Sequence, residues 1–106
     1  MRAVWRQARP VRLRYTRRAL ADLDGTLNYI REQSPRRARQ IQGRIKALTA
    51  LLLLRPHIGR RTSNPILRRI VVSPFPYLIF YQVTEKEIVI HAVWHTSRNP
   101  SGIPGS

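Results

Sequence analysis

Cysteine is absent from the sequence, and acidic residues are rare. The absence of cysteine excludes disulfide bonds, thiolate zinc sites and cysteine nucleophiles. Only five Asp and Glu residues oppose 20 Lys and Arg residues, which gives a formal net charge of +15. Most of these cations are arginines, whose guanidinium groups pair with carboxylates and phosphates in a bidentate geometry. We therefore expect an acidic protein or a nucleic acid as partner.

Long apolar segments are also absent. The longest, residues 47–54, contains Thr49 and is far shorter than the roughly 20 residues that a membrane-spanning helix requires. Residues 1–10 are basic but lack the apolar segment of a signal peptide. These features predict a cytoplasmic protein with no membrane association.

Ligands for a metal or a cofactor are scarce. The chain has three histidines and five carboxylates, and none of them are spaced as metal ligands usually are. There is no glycine-rich loop of the kind that binds phosphates. We expect neither a metal nor a cofactor.

The first half of the chain predicts a strand followed by two helices. Residues 11–15 alternate apolar and basic side chains, as in a half-buried strand, and Thr16 then provides a cap for the first helix. Ser34 and Pro35 begin the second helix, which ends before Arg55 and Pro56. The predicted apolar stripes are Leu20, Leu23, Leu27 and Ile30 on the first helix and Ala38, Ile41, Ile45, Leu48 and Leu52 on the second.

The second half predicts three strands, at residues 67–73, 77–83 and 87–95, joined by short turns. Strict alternation in the last strand places Ile88, Ile90, Ala92 and Trp94 on one face and Val89, His91, Val93 and His95 on the other. The sequence therefore predicts an α+β fold of order β-α-α-β-β-β, with a helix hairpin packed on an antiparallel sheet. The domain covers residues 11–96, between a basic N-terminal arm at 1–10 and a flexible C-terminal tail at 97–106.

Residues along most of the chain resemble the RelE/ParE superfamily of toxins. On the helices the similar residues are Ala21-Asp22-Leu23, Tyr29-Ile30 and Ser34-Pro35, followed by residues 56–60 in the next loop. On the strands they are residues 76–81 and 90–95. The closing Arg98-Asn99-Pro100 is more similar to the ParE branch than to the RelE branch.

The resemblance implies the toxin of a type II toxin-antitoxin system, neutralised in a hetero-oligomer by a cognate acidic antitoxin. ParE-like toxins inhibit DNA gyrase, arrest growth and act in plasmid stabilisation, whereas RelE-like toxins cleave messenger RNA in the ribosome. Operator DNA would be contacted only through the antitoxin. We expect the ParE-like function, and the alternatives are a RelE-like endoribonuclease and a degenerate toxin that only binds antitoxin.

Few residues are suited to the acid-base chemistry of RNA cleavage. Such cleavage needs a base near the ribose 2′-hydroxyl and cations near the phosphate. Glu85 and Glu87 flank a predicted turn, where charged residues usually face solvent. A nuclease would therefore rely on His95 as its base with Arg98 and Arg68 as cations, and the scarcity of such groups favours the gyrase inhibitor.

Other residues are candidates for binding a target or a partner. Those on the predicted sheet and the loop before it are Arg60, Arg61, Arg69 and His91, and the three arginines could extend a cationic surface from Arg98. Leu53 and Leu54 lie off the main apolar stripe of the second helix, and Trp5 lies in the polar N-terminal arm. Because exposed apolar groups of this kind often mark interfaces, we expect a partner to cover them.

Overall fold

The helices and strands follow the predicted order. The computed structural model describes residue 10 and residues 12–98, so Trp5, most of the N-terminal arm and residues 99–106 lie outside the described residues. The elements are β1 (Arg12–Tyr15), α1 (Arg17–Gln33), α2 (Pro35–Leu54), β2 (Arg60–Arg61), β3 (Arg68–Val71), β4 (Tyr77–Val83) and β5 (Glu87–His95). The two-residue strand β2 is the one element that the sequence did not predict. Neither described helix is both long and apolar enough to cross a membrane.

The five strands form a mixed sheet in the order β1-β5-β4-β3-β2. Strands β3 to β5 pair antiparallel, as predicted, and the unpredicted β2 also pairs antiparallel with β3. Strand β1, however, lies parallel to β5 with Leu13 beside Ile88. The expectation of an antiparallel sheet was wrong for this pair. A tight hairpin turn imposes antiparallel pairing, whereas β1 and β5 are separated by the helix hairpin and the meander, so no turn sets their direction.

The helices begin at the predicted residues. The Thr16 side chain accepts a hydrogen bond from Ala19 N at 3.0 Å, and the Ser34 side chain accepts one from Arg37 N at 3.1 Å. All five predicted stripe residues of α2 are buried. On α1, however, Ala19 is buried and Leu20 is 47% exposed, because Ala19 lies in register with the buried positions further along the helix.

A β-bulge interrupts the pairing of β4 with β5. Phe80 pairs with Ala92 and Tyr81 pairs with Ile90, so His91 has no residue opposite it on β4. One extra residue in a strand inverts the alternation of side chains beyond it.

The bulge divides β5 between two hydrophobic clusters. Ile88, Ile90 and Val93 pack in the main core beneath the helices, whereas Ala92 and Trp94 belong to a second cluster on the opposite face. The predicted alternation was therefore wrong beyond Ile90. No periodicity in the sequence marks the extra residue.

Helix α1 covers the edge of β5 where β1 has ended. Thr16 N–H donates to the Ile90 carbonyl at 3.0 Å, and Val93 N–H donates to Asp22 Oδ2 at 3.1 Å. Val93 is only 3% exposed, so without Asp22 its N–H would lose its partner in a largely dry environment. The carboxylate of Asp22 therefore supplies the hydrogen-bond acceptor that a neighbouring strand would otherwise provide.

The buried hydroxyl of Tyr81 fixes the loop between α2 and β2. It donates to the Pro56 carbonyl at 2.8 Å and accepts from Gly59 N–H at 2.9 Å. Burial raises the pKa of Tyr81 above its ordinary value, which keeps the hydroxyl protonated and able to donate. The loop approaches so closely that a Cβ on Gly59 would lie 2.5 Å from the Tyr81 hydroxyl and 2.8 Å from the Arg69 carbonyl.

Alanine at Gly59 should destabilise the fold. Because the added Cβ meets both backbone and a buried hydroxyl, we expect Gly59→Ala to lower the free energy of unfolding by about 1–3 kcal/mol. Gly43→Ala is the matched control, since a Cβ there meets nothing within 4 Å. Because alanine is favoured over glycine inside a helix, this variant should raise the free energy of unfolding by about 0.5–1 kcal/mol. Urea unfolding of the purified chain measures both, and equal stability of the two variants would contradict this packing.

Loss of the Asp22 carboxylate should also destabilise the fold. We expect Asp22→Ala to cost about 1–3 kcal/mol, because Val93 N–H is left unpaired. Asp22→Asn removes the same charge but keeps an oxygen acceptor, so it should retain most of the stability. If the two variants unfold at the same urea concentration, the effect is one of charge and not of the edge hydrogen bond.

Candidate functional site

The face of the sheet opposite α1 and α2, here called the outer face, has no helix or strand packed on it within the described part of the chain. Alternation along the strands and the second cluster define its composition. Its apolar side chains are Leu67, Val71, Leu78, Phe80, Val89, Ala92 and Trp94. Its polar side chains are Arg12, Arg14, Arg60, Arg69, Gln82, Glu87 and His91.

Two arginines border an apolar cleft on this face. Arg60 and Arg69 are paired across β2 and β3, and both line an open cleft of ≈ 590 Å³. Ile58, Val71 and Leu78 also line it, and the first two are 41% and 48% exposed. The structure thus brings together two of the predicted binding arginines, beside apolar residues that the sequence analysis did not single out. We refer to this as the Arg60–Arg69 cleft.

A cation–π stack lies further across the outer face. The Arg98 guanidinium is 3.9 Å from the centre of the Trp94 ring, and the Arg18 guanidinium is 5.6 Å from it. Trp94 is 3% exposed and packs edge-on against Phe80 at 5.1 Å. Cation–π contacts of this kind orient a guanidinium while leaving its N–H groups available. Arg98 is therefore positioned on the outer face by the indole ring.

His91 lies on the outer face at the bulge. Its Nε2 is 3.0 Å from Gln82 Oε1, and the residue is half-buried. Burial lowers the pKa of His91 below its ordinary value, and the nearby Arg14 charge lowers the pKa further. The imidazole is consequently neutral at neutral pH and does not add to the cationic charge of this face.

His95 does not share a face with His91, contrary to the predicted alternation. It pairs with Tyr77 and contacts that ring edge-on at 5.3 Å, on the helix side of the sheet. The His95 Nδ1 is 3.1 Å from Ser97 N, which donates to it. The bulge is the physical cause, because it places residues 91 and 92 on the same face and so inverts the positions that follow.

Arg68 is held at a distance from His95. Its Nη1 donates to the Gly59 carbonyl at 2.8 Å and to the His57 carbonyl at 3.3 Å, so this side chain braces the loop before β2. Arg68 pairs with Tyr81 and His95 pairs with Tyr77, which separates them by roughly 13 Å along β4. The structure therefore does not bring His95, Arg98 and Arg68 together into one site.

Arg61 points away from Arg60, because consecutive residues of a strand face opposite sides. It lines a separate cleft of ≈ 330 Å³ together with His57 and Arg68. Arg60 and Arg69 thus line one of these two clefts and Arg61 and Arg68 line the other, while Arg61 and Arg69 also border a smaller cleft beside Thr62 and Ser63.

The two leucines predicted as a partner surface differ in exposure. Leu53 is half-buried and packs against the core, whereas Leu54 is 63% exposed. Leu51, one helical turn before Leu54, is 38% exposed, and Leu20 at the start of α1 is also exposed. Leu51 and Leu54, here called the hairpin patch, form the exposed apolar surface at the end of α2.

Several outer-face residues were missed from the sequence. The pairing of Val71 with Leu78 was available from the predicted meander, which could have placed both on one face. Nothing in the sequence indicates that Arg18, at the start of a helix, reaches a tryptophan on β5.

Comparisons with known proteins agree on one family. A solved structure described as the chromosomal ParDE TA system from P. aeruginosa has a TM-score of 0.71 and 24% identity, covering 82% of this chain and 97% of that chain, which shows the fold. Toxin RelE2 of Caulobacter vibrioides is 37% identical over 84 residues, 79% of this chain and 93% of that protein. The protein Y4kP of Sinorhizobium fredii is 32% identical over 84 residues, 79% of this chain and 86% of that protein. Residues 13–100 match the family described as ParE toxin of type II toxin-antitoxin system, parDE, and the chain therefore belongs to that toxin family.

Proposed function

We propose that this chain arrests growth in the cytoplasm by binding DNA gyrase through the outer face, and that a cognate acidic antitoxin neutralises it. The composition of the outer face is the observation that supports gyrase as the target. Its centre is apolar, its cations lie at the margins, and its one imidazole is bonded to Gln82. This arrangement is suited to binding a protein surface more than to cleaving RNA.

The Arg60–Arg69 cleft has the features of a protein interface. Interfaces combine a desolvated apolar centre with arginines that pair with carboxylates on the partner. Val71 and Leu78 would supply the apolar centre, and Arg60, Arg69 and the stacked Arg98 would supply the pairing groups. We assign target binding to these residues and no catalytic role to any of them.

Two of the five carboxylates, Asp22 and Glu87, are already engaged in structural contacts. Asp22 accepts from Val93 N–H, and Glu87 forms an ion pair with Arg14 at 3.1 Å. Neither lies beside the Arg60–Arg69 cleft. This supports inhibition by binding without bond cleavage.

The antitoxin is proposed to cover the hairpin patch. A formal net charge of +15 favours an acidic partner over long range, and exposed leucines on a helix favour an amphipathic segment at short range. In the resulting hetero-oligomer the antitoxin would provide the contact with operator DNA. Plasmid stabilisation would follow from loss of the antitoxin when the plasmid is lost.

The alternative is a RelE-like endoribonuclease, and one observation favours it. His91 is a neutral imidazole on the same face as the Arg14 cation, so it could accept a proton beside a bound phosphate. This alternative places the catalytic group at the bulge and not at His95. A degenerate toxin that only binds antitoxin is the third outcome that an experiment must distinguish.

Induced expression without antitoxin should produce gyrase-linked DNA breaks while messenger RNA stays intact. We expect Arg69→Glu to abolish the breaks and growth arrest, because it reverses the charge beside the apolar centre. His91→Gln should keep both, since it removes the candidate base at the bulge but can still hydrogen-bond to Gln82. The readouts are trapped gyrase-DNA complexes and the mapping of messenger ends.

Cleaved messenger without breaks, lost in His91→Gln, would establish the endoribonuclease instead. Neither breaks nor cleavage, with antitoxin binding retained, would establish the degenerate toxin. Both results contradict inhibition of gyrase.

The hairpin patch should contribute to antitoxin affinity. We expect Leu54→Asp to weaken the complex at least about tenfold, because a charge replaces a desolvated apolar contact, a loss of about 1.4 kcal/mol or more. Gln40→Asp is the control, since it adds the same charge at an exposed position of α2 roughly 21 Å away along the helix. Calorimetric titration with the antitoxin measures both, and an equal loss for the two variants would assign the effect to charge alone.

A further inference from the structure

A second cleft lies where β3 and β4 meet the loop at residues 62–67. It has a volume of ≈ 330 Å³, and we call it the Arg61 cleft. Its polar lining consists of His57, Arg61, Arg68 and Gln82, and its apolar lining consists of residues 65–67 and Val83. Outer-face residues Leu67 and Gln82 contribute to this lining beside Arg61 and Arg68. The cleft is separate from the Arg60–Arg69 cleft because the two linings have no residue in common.

The positive charge of the Arg61 cleft is not neutralised by its own walls. Among the described residues its lining contains two guanidinium groups and an imidazole but no carboxylate. The Nη1 of Arg68 is bonded to two backbone carbonyls, which fixes the plane of the guanidinium while its remaining N–H groups can still donate. A pair of guanidinium groups beside an imidazole is an arrangement that binds a tetrahedral dianion.

The walls of the cleft are preorganised. In the loop at residues 62–67, Ile66 N–H donates to Asn64 Oδ1 at 3.0 Å, and the Thr62 hydroxyl is 3.1 Å from the Leu67 carbonyl to which it donates. On the other side, the Tyr81 hydroxyl holds the loop that carries His57. Binding here would therefore cost little ordering entropy, because both loops are already fixed by hydrogen bonds.

The apolar wall indicates more than a bare anion. Ile66 is 55% exposed, and Pro65 and Val83 lie in the same lining. A volume of ≈ 330 Å³ lies at the lower end of the range for small-molecule sites and is larger than an inorganic phosphate requires. The flat side of a nucleobase, or a comparable group, would bury these apolar residues.

We propose that the Arg61 cleft binds a phosphate ester of nucleotide size. The phosphate lies against Arg61, Arg68 and His57, and the apolar part of the ligand lies against Pro65 and Ile66. This site goes beyond the inhibition of gyrase and does not depend on it, because none of its contacts belong to the Arg60–Arg69 cleft.

The test is titration of the full chain with adenosine monophosphate, inorganic phosphate and adenosine. A salt concentration of about 0.15 M, at which the screening length is about 8 Å, suppresses non-specific attraction to the basic chain. We expect adenosine monophosphate to bind most tightly. Arg61→Gln should lower the affinity for adenosine monophosphate about tenfold or more, which is the loss expected for a charged hydrogen bond. Arg39→Gln removes the same charge from an exposed position of α2 and should change the affinity less than twofold.

A second variant tests the apolar wall. Ile66→Ser should lower the affinity for adenosine monophosphate at least about threefold and leave the affinity for inorganic phosphate unchanged. The reason is that the substitution alters only the contact with the organic part of the ligand. Since Arg61 and Ile66 are both exposed, neither substitution should unfold the chain, and urea unfolding checks this.

Three results would overturn the proposal. They are no binding of adenosine monophosphate at millimolar concentration, equal losses in Arg61→Gln and Arg39→Gln, and equal affinity for adenosine monophosphate and inorganic phosphate. Each can be observed whether or not the chain inhibits gyrase, so failure of this site and failure of the proposed function are distinguishable.

Discussion

The β-bulge at His91 determines which side chains face the helices and which face the opposite side. It directs Val93 into the core and Trp94 to the outer face, although strict alternation would assign the reverse. The stack of Arg98 on the Trp94 ring depends on that inversion, as does the separation of His91 from His95. A single extra residue in the last strand therefore decides the composition of the candidate binding face.

The scarcity of acidic residues is the second constraint on this molecule. Asp22 covers the open edge of β5 and Glu87 pairs with Arg14, so two of the five carboxylates have structural partners. The clefts around Arg60 and Arg61 consequently keep an uncompensated positive charge. Folding is compatible with such a charge because cations such as Arg68 and Arg98 are held at the surface by carbonyl groups and an aromatic ring. Binding of the proposed acidic partner would relieve the remaining repulsion.

Periodicity predicted most of the fold, because its elements are set by local signals. The caps Thr16 and Ser34 and the apolar stripe of α2 are encoded within a few residues of where they act. The parallel pairing of β1, the bulge and the reach of Arg18 to Trp94 depend on contacts between distant parts of the chain, which one sequence does not reveal. The candidate site was therefore predicted only in part: its arginines were named, but their division between two clefts was not.

The proposed inhibition of gyrase by contact with the outer face can be tested with purified components. Gyrase supercoiling would be assayed with the wild-type chain and with Leu78→Glu, a substitution at the apolar centre of the Arg60–Arg69 cleft. Under this proposal, the wild-type chain inhibits supercoiling, and Leu78→Glu, shown to be folded by its unfolding curve, does not. Absence of inhibition by the wild-type chain, or equal inhibition by both, would contradict it.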